Sequence, residues 1–141
     1  MVSTTTCLEL SLKATPSSVR EARNAAGEVA AELTASDRLV DDVRLCVSEA
    51  VTNVVRHAYG TKRGSLDVVV EHEDDEFVVL VRDQGMGLTA SGRRGKPGGF
   101  GLKIIEKVSS RHSIESAPKT GTEIRMVFAL GVQASSGSTD R

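Results

Sequence analysis

An α+β domain is the fold class this sequence predicts: a two-layer α/β sandwich whose helices cover one face of a mixed, mainly antiparallel sheet. Three observations point there. Alternating apolar segments fall as neighbouring pairs over 66–81 and 112–130, the pattern of hairpins. Helical periodicity is gathered elsewhere, in two long runs over 17–59 and a short one near 105. The 141 residues, 39% hydrophobic, suffice for one compact core and leave little room for a second domain.

The elements follow in order. Leu8, Leu10 and Leu12 alternate with polar neighbours, so the chain opens on a strand. Thr15-Pro16-Ser17 then starts a helix over 17–33, in which Val19, Ala22, Ala26, Val29, Ala30 and Leu33 recur on one side. Ser36-Asp37 caps a second helix, expected to run to about Tyr59 before Gly60 and the Lys62-Arg63-Gly64 turn. Its Leu39, Val43, Val47, Ala50 and Val54 lie within about 80° on a wheel at about 100° per residue, which makes them the core face. His57 maps to the middle of that face and is expected to pack as a structural histidine. Cys46 lies at its edge, where packing is the natural role. With Cys7 so distant, neither thiol has the neighbours a zinc site needs, and both are expected reduced.

Leu66, Val68 and Val70 form the next strand, and the charged turn 73–76 leads into the strand Phe77 to Val81. The segment Asp83 to Gly101 holds seven of the chain's 13 glycines and has no periodicity. A loop of that length in a compact domain calls for a functional reason. A third helix is expected from about Phe100 to Ser109, with Leu102, Ile105 and Val108 inward. The strands His112–Ser116 and Thr122–Leu130 follow, separated by Pro118-Lys-Thr-Gly121. The Ser- and Gly-rich end reads as disordered, so the domain is placed at 7–130 and a tail at 131–141.

Charge narrows the functions. With 18 basic and 19 acidic residues interspersed, net −1, no broad field favours nucleic acid or a membrane surface. No apolar run is long enough to span a bilayer and no leader precedes the first strand, so a cytoplasmic protein is expected.

Two features carry chemistry. On the second helix Glu49 and Asn53 stand one turn apart, about 40° from each other, so a carboxylate and a carboxamide address one ligand. Arg56 lies to the same side, and all three border the core face as the rim of a pocket does. Downstream, Asp83-Gln-Gly-Met-Gly87 follows a strand end, where an aspartate accepts from an exocyclic amine and glycines let backbone approach a flat ring. Gly98-Gly-Phe-Gly-Leu102 opens a helix, whose unpaired N–H groups favour phosphate. Neither glycine motif is a dinucleotide or P-loop fingerprint.

In this order, Glu-x-x-x-Asn, Asp-x-Gly-x-Gly, Gly-x-Gly-Leu and Gly121-Thr122 before the last strand resemble the N, G1, G2 and G3 boxes of the GHKL ATP-binding superfamily. The wording Val47-Ser-Glu-Ala-Val-Thr-Asn53 with His57-Ala-Tyr59 is similar to the bacterial anti-sigma-factor serine kinases of sporulation and stress response. The resemblance implies the GHKL (Bergerat) fold, with ATP and Mg²⁺ as cofactors. It implies that Glu49 is the general base for a serine hydroxyl, that Asn53 binds Mg²⁺ and that Asp83 reads the adenine amine. Gly85 and Gly87 would border the base, Gly99, Gly101 and Leu102 would cradle phosphates, and Thr122 would support Asp83. Arg56 would face phosphate, as would Arg93, Arg94 and Lys96 in a short lid that has Pro97 where familiar kinases place a basic residue. Arg20 and Arg23 on the first helix would touch a protein partner. The implied function is an ATP-dependent serine kinase that sequesters a sigma factor and phosphorylates a STAS-type anti-anti-sigma protein, with a homodimer expected from the family. The alternative is an ATP-binding regulator without kinase activity.

Overall fold

The structure, a computed structural model, describes residues 4–58, 64–85, 99–117 and 121–130. The elements are β1 (Thr4–Lys13), α1 (Pro16–Leu33), α2 (Asp37–Asn53), a π-helical segment (Val54–Ala58), β2 (Ser65–Glu73), β3 (Glu76–Asp83), α3 (Gly99–Val108), β4 (Arg111–Ala117) and β5 (Gly121–Ala129). The sheet order is β1-β2-β3-β5-β4. The α+β expectation holds, and the sheet expected to be mixed is antiparallel at each of its four described pairings. β3 and β4 both run against β5, so α3 carries the chain from one to the other over the strand between them.

Local signals start the helices where the sequence places them. At α1, Pro16 occupies the first turn, the Thr15 N–H donates to Ser18 Oγ at 3.3 Å, and Ser18 Oγ donates to the Lys13 carbonyl. The Ser36 hydroxyl caps α2 by accepting from the Leu39 N–H at 3.1 Å, and Asp37 complements the dipole in the first turn.

One core joins the layers. Ala22, Ala26 and Ala30 of α1, Val43, Cys46, Val47, Ala50 and Val51 of α2 and Ile105 of α3 meet alternate residues of the strands, among them Leu66, Val68, Phe77, Val79, Ile124, Met126 and Phe128. The small α1 residues let α1 lie close against α2. Phe77 and Phe128 are register partners with ring centroids 6.4 Å apart. On the far side of the sheet Val69, Val78, Leu80 and Val127 form a second apolar cluster, with no helix over it among the described residues. Ion pairs arch above it. Arg111 of β4 donates to both Glu76 oxygens of β3, at 2.6 and 2.9 Å, across β5; Arg125 of β5 reaches Glu73 of β2, at 3.8 Å, across β3. Exposed ion pairs contribute little energy, so the aliphatic stems of these arginines are what matter to the valines beneath.

The structure corrects one packing expectation. His57 is exposed, while its neighbour Ala58 is 8% exposed. The cause is the π segment: i→i+5 winding turns the chain by roughly 80° per residue rather than about 100°, so the phase slips progressively after Asn53. By residue 57 the slip carries the histidine off the apolar face, while Ala58 stays on it. Tyr59 lies outside the described residues, as do the lid residues Arg93, Arg94, Lys96 and Pro97 and the tail from 131.

Cys46 is fully buried, and its thiol is pushed up to about 12 by burial first and then by the charges of Asp42 and Glu49. Cys7, on the outermost strand, is only partly buried. A thiol-disulfide reagent at mildly alkaline pH is therefore expected to label one cysteine in the folded protein and both in denaturant. Mass mapping of the labelled peptides checks that the first is Cys7.

Candidate functional site: the end of the sheet below the second helix

Towards this end the inward face of the sheet is apolar until its last row. One row deeper, Val81, Ile124 and Ile114 are neighbours across β3, β5 and β4; in the last row Asp83, Thr122 and Ser116 take the same three positions. Asp83 is 6% and Thr122 7% exposed. The Gly85 N–H donates to Asp83 Oδ1 at 2.8 Å, and the Thr122 backbone N–H also bonds the carboxylate. The hydroxyls of Ser116 and Thr122 lie 3.0 Å apart. Burial holds the Asp83 carboxyl above the ordinary carboxylate range, and the two N–H groups pull it part of the way back.

Backbone fills the space that side chains would otherwise occupy. A Cβ on Gly85 would stand 2.1 Å from the Ala58 carbonyl oxygen, so the turn after β3 lies directly against the end of the π segment. A Cβ on Gly121 would stand 2.0 Å from the Asp83 carbonyl oxygen, and Gly121 has φ +96°, which L side chains seldom adopt. These two glycines clamp the Asp83 turn between the second helix and the last hairpin. A cavity of about 360 Å³ at this end of the sheet is lined largely by Asp67, Arg82, Glu115 and Glu123, which share the sheet face away from the helices, so it is not the space between Asp83 and α2.

The clamp ties Asp83 to Glu49 and Asn53. Ala58 stands five residues, about one π turn, beyond Asn53, so the same helix that touches Gly85 carries both groups. Asn53 is 9% exposed, deeper than the rim position its wheel angle predicts, and Glu49 is half-buried. α3 packs beside α2 and begins at Gly99, so the N–H groups of Gly99 and Gly101 belong to its first turn, where no helical carbonyl can pair them, and Leu102 follows at the first position that can make an intrahelical bond. The donor set fits a nucleotide: a buried carboxylate for an amine, glycine backbone for a flat ring, free N–H groups for phosphate. Asn53 offers a carboxamide oxygen of the kind Mg²⁺ accepts.

The remaining predicted residues divide. Arg56 is exposed, on the outer side of the π segment to which it belongs. Arg20 is exposed and Arg23 half-buried on α1, which packs against α2 and β1 and contributes nothing to the Asp83 row. Gly87 lies outside the described residues. Ser116 was missed by sequence reasoning, although counting back through the hairpin from Thr122 places it opposite that threonine.

The family model for the histidine kinase-like ATPase domain matches residues 12–128. The chain belongs to that family. Membership implies ATP binding. It is similar to the anti-sigma F factor of Clostridium acetobutylicum, with 31% identity over 135 residues, 87% of this chain and 94% of that one. The anti-sigma F factor of Bacillus subtilis is 32% identical over 100 residues, 63% of this chain and 68% of that one. Among solved structures, the RsbU and RsbW domains of Rv1364c from Mycobacterium tuberculosis superpose with a TM-score of 0.64 at 25% identity, covering 88% of this chain and 33% of that one. A histidine kinase domain from Erythrobacter litoralis, with a TM-score of 0.60 at 21% identity over 74% of this chain and 50% of that one, shares the fold.

Two outcomes follow for this ATPase-family site. Gly121→Ala combines a left-handed backbone with a backbone clash, and is expected to lower the unfolding free energy by at least about 2 kcal/mol in a denaturant titration. Asp83→Asn should act in the opposite direction. A carboxyl whose folded pKa lies above its unfolded value binds more protons when folded, so it costs stability above the folded value and the cost fades as pH falls through it. The nucleotide-free Asp83→Asn protein is expected to melt no lower than wild type at neutral pH, with any advantage shrinking on acidification, in calorimetric scans.

Proposed function

We propose that this protein is an ATP-dependent serine kinase and anti-sigma factor, which sequesters an RNA polymerase sigma factor and phosphorylates a STAS-type anti-anti-sigma protein. The observation that carries it is the clamped Asp83 turn beside the helix bearing Glu49 and Asn53, together with relatives named anti-sigma F factor over nearly their whole length. Asp83 accepts from the adenine amine, with Gly85 and Gly87 beside the ring. The first turn of α3, through Gly99, Gly101 and Leu102, receives phosphate. Asn53 would hold Mg²⁺, which neutralises charge on the transferred phosphoryl group.

Glu49 takes the proton from the attacking serine hydroxyl. Its half-buried place on α2 leaves it open to a docked substrate while the core behind fixes the helix. Arg56 stands on the solvent side, where it meets phosphate only once a substrate or lid closes over it. Arg20 and Arg23 present guanidinium groups on α1 to a protein partner. Phosphorylation of that partner adds charge at the interface and drives its release. A homodimer and a cytoplasmic location belong to the same proposal; among the described residues no helix is long and apolar enough to cross a membrane.

A second reading, a nucleotide-dependent regulator that transfers no phosphate, draws on Pro97 in place of a basic residue. The retained Glu49 argues against it. Transfer of radiolabelled phosphate from ATP to a purified STAS partner separates the two. Glu49→Gln is expected to reduce transfer by at least about 100-fold while ATP affinity stays within about threefold. Tight ATP binding by wild type with no transfer to any serine would establish the regulator instead.

A further inference from the structure

We propose that Ser116 sets the direction of the Thr122 hydroxyl and so helps the site choose adenine over bases carrying a carbonyl at the same position. The inference rests on the reading that the Asp83 end of the sheet receives the base. Its physical basis is the polar row itself. Asp83, Thr122 and Ser116 are register neighbours on β3, β5 and β4, in a row whose next members inward are Val81, Ile124 and Ile114. The Thr122 backbone N–H is committed to the Asp83 carboxylate, which leaves the threonine hydroxyl as the rotatable polar group next to it. That hydroxyl lies 3.0 Å from Ser116 Oγ.

A hydroxyl has one proton and can also accept, so its neighbour decides which of the two it offers a ligand. When Ser116 donates to Thr122, the Thr122 O–H is free to point at an acceptor. The row then offers an acceptor on Asp83 and a donor on Thr122, side by side. The adenine edge presents the complement, an amine next to a ring nitrogen acceptor. Guanine and hypoxanthine present a carbonyl next to an N–H, which opposes both groups. Gly121 makes the arrangement stiff, because its close approach to the Asp83 carbonyl fastens the β4–β5 hairpin to the β3 end. Ser116 is thus a positioning residue that acts through Thr122.

The test compares affinities for ADP and for inosine diphosphate, by titration calorimetry, in wild type, Ser116→Ala, Ser116→Thr, Thr122→Val and the Ser116→Ala/Thr122→Val double variant. Ser116→Ala should weaken ADP by about three- to tenfold and leave inosine diphosphate within about twofold, as loss of one oriented hydrogen bond would. Ser116→Thr, which keeps the hydroxyl, should bind ADP as wild type does. In the Thr122→Val background the Ser116→Ala change should cost less than about twofold, because the group it orients is gone. Equal weakening of both nucleotides, an unchanged ADP affinity in Ser116→Ala, or full additivity with Thr122→Val would overturn the inference while leaving the nucleotide site standing. Wild-type ADP affinity in Asp83→Asn would instead remove the base site itself, and this inference with it.

Discussion

Burying a carboxylate at the end of an apolar sheet is expensive unless it is held, and among the described residues Asp83 is held by backbone N–H groups. Two N–H groups, from Gly85 and Thr122, are enough to fix its direction but do not cancel its desolvation. Two such donors leave a carboxylate further acceptor capacity. Everything around it serves that position: the hairpin that delivers Thr122, the glycines that admit backbone to within van der Waals contact, and the helix whose end lies against the turn. A side chain on either glycine would push the turn away and lose both N–H donors together.

The π segment is the second device on which the site depends. A regular α-helix continued past Asn53 would have turned His57 onto the apolar face, at the wheel angle of Leu39. The wider winding keeps Ala58 inward, where its carbonyl meets Gly85, and turns His57 into solvent beside Arg56. The same distortion that brings the helix against the Asp83 turn thus moves His57 out beside Arg56, which a regular helix would also leave outside the core. π-helical turns recur at functional sites, and the physical reason here is a register correction between helix and sheet.

Much of this was legible in the chain. Strand alternation and helical periodicity located every described element to within a few residues, because each element has one apolar face and that face determines its period. The order of the boxes around Glu49, Asn53, Asp83, Gly99 and Thr122 identified the nucleotide-binding family from residue types alone. What stayed hidden depended on more than one element. The wheel assumed a constant winding, so it misplaced His57 and underestimated how deeply Asn53 sits. Ser116 carries no motif, and it became visible only when β4 was laid beside β5.

The sequence by itself determined the α+β class, the one-sided helical layer and the identity of the chemical groups, since these follow from local period and residue chemistry. Tertiary structure alone decided the pairings outside the two hairpins, β1 with β2 and β3 with β5, the row that sets Asp83, Thr122 and Ser116 side by side, and the two backbone contacts that close the turn. The reason is that register and close approach are properties of pairs of segments. A single stretch of sequence holds its half of each pair, and only packing against the core selects the other half.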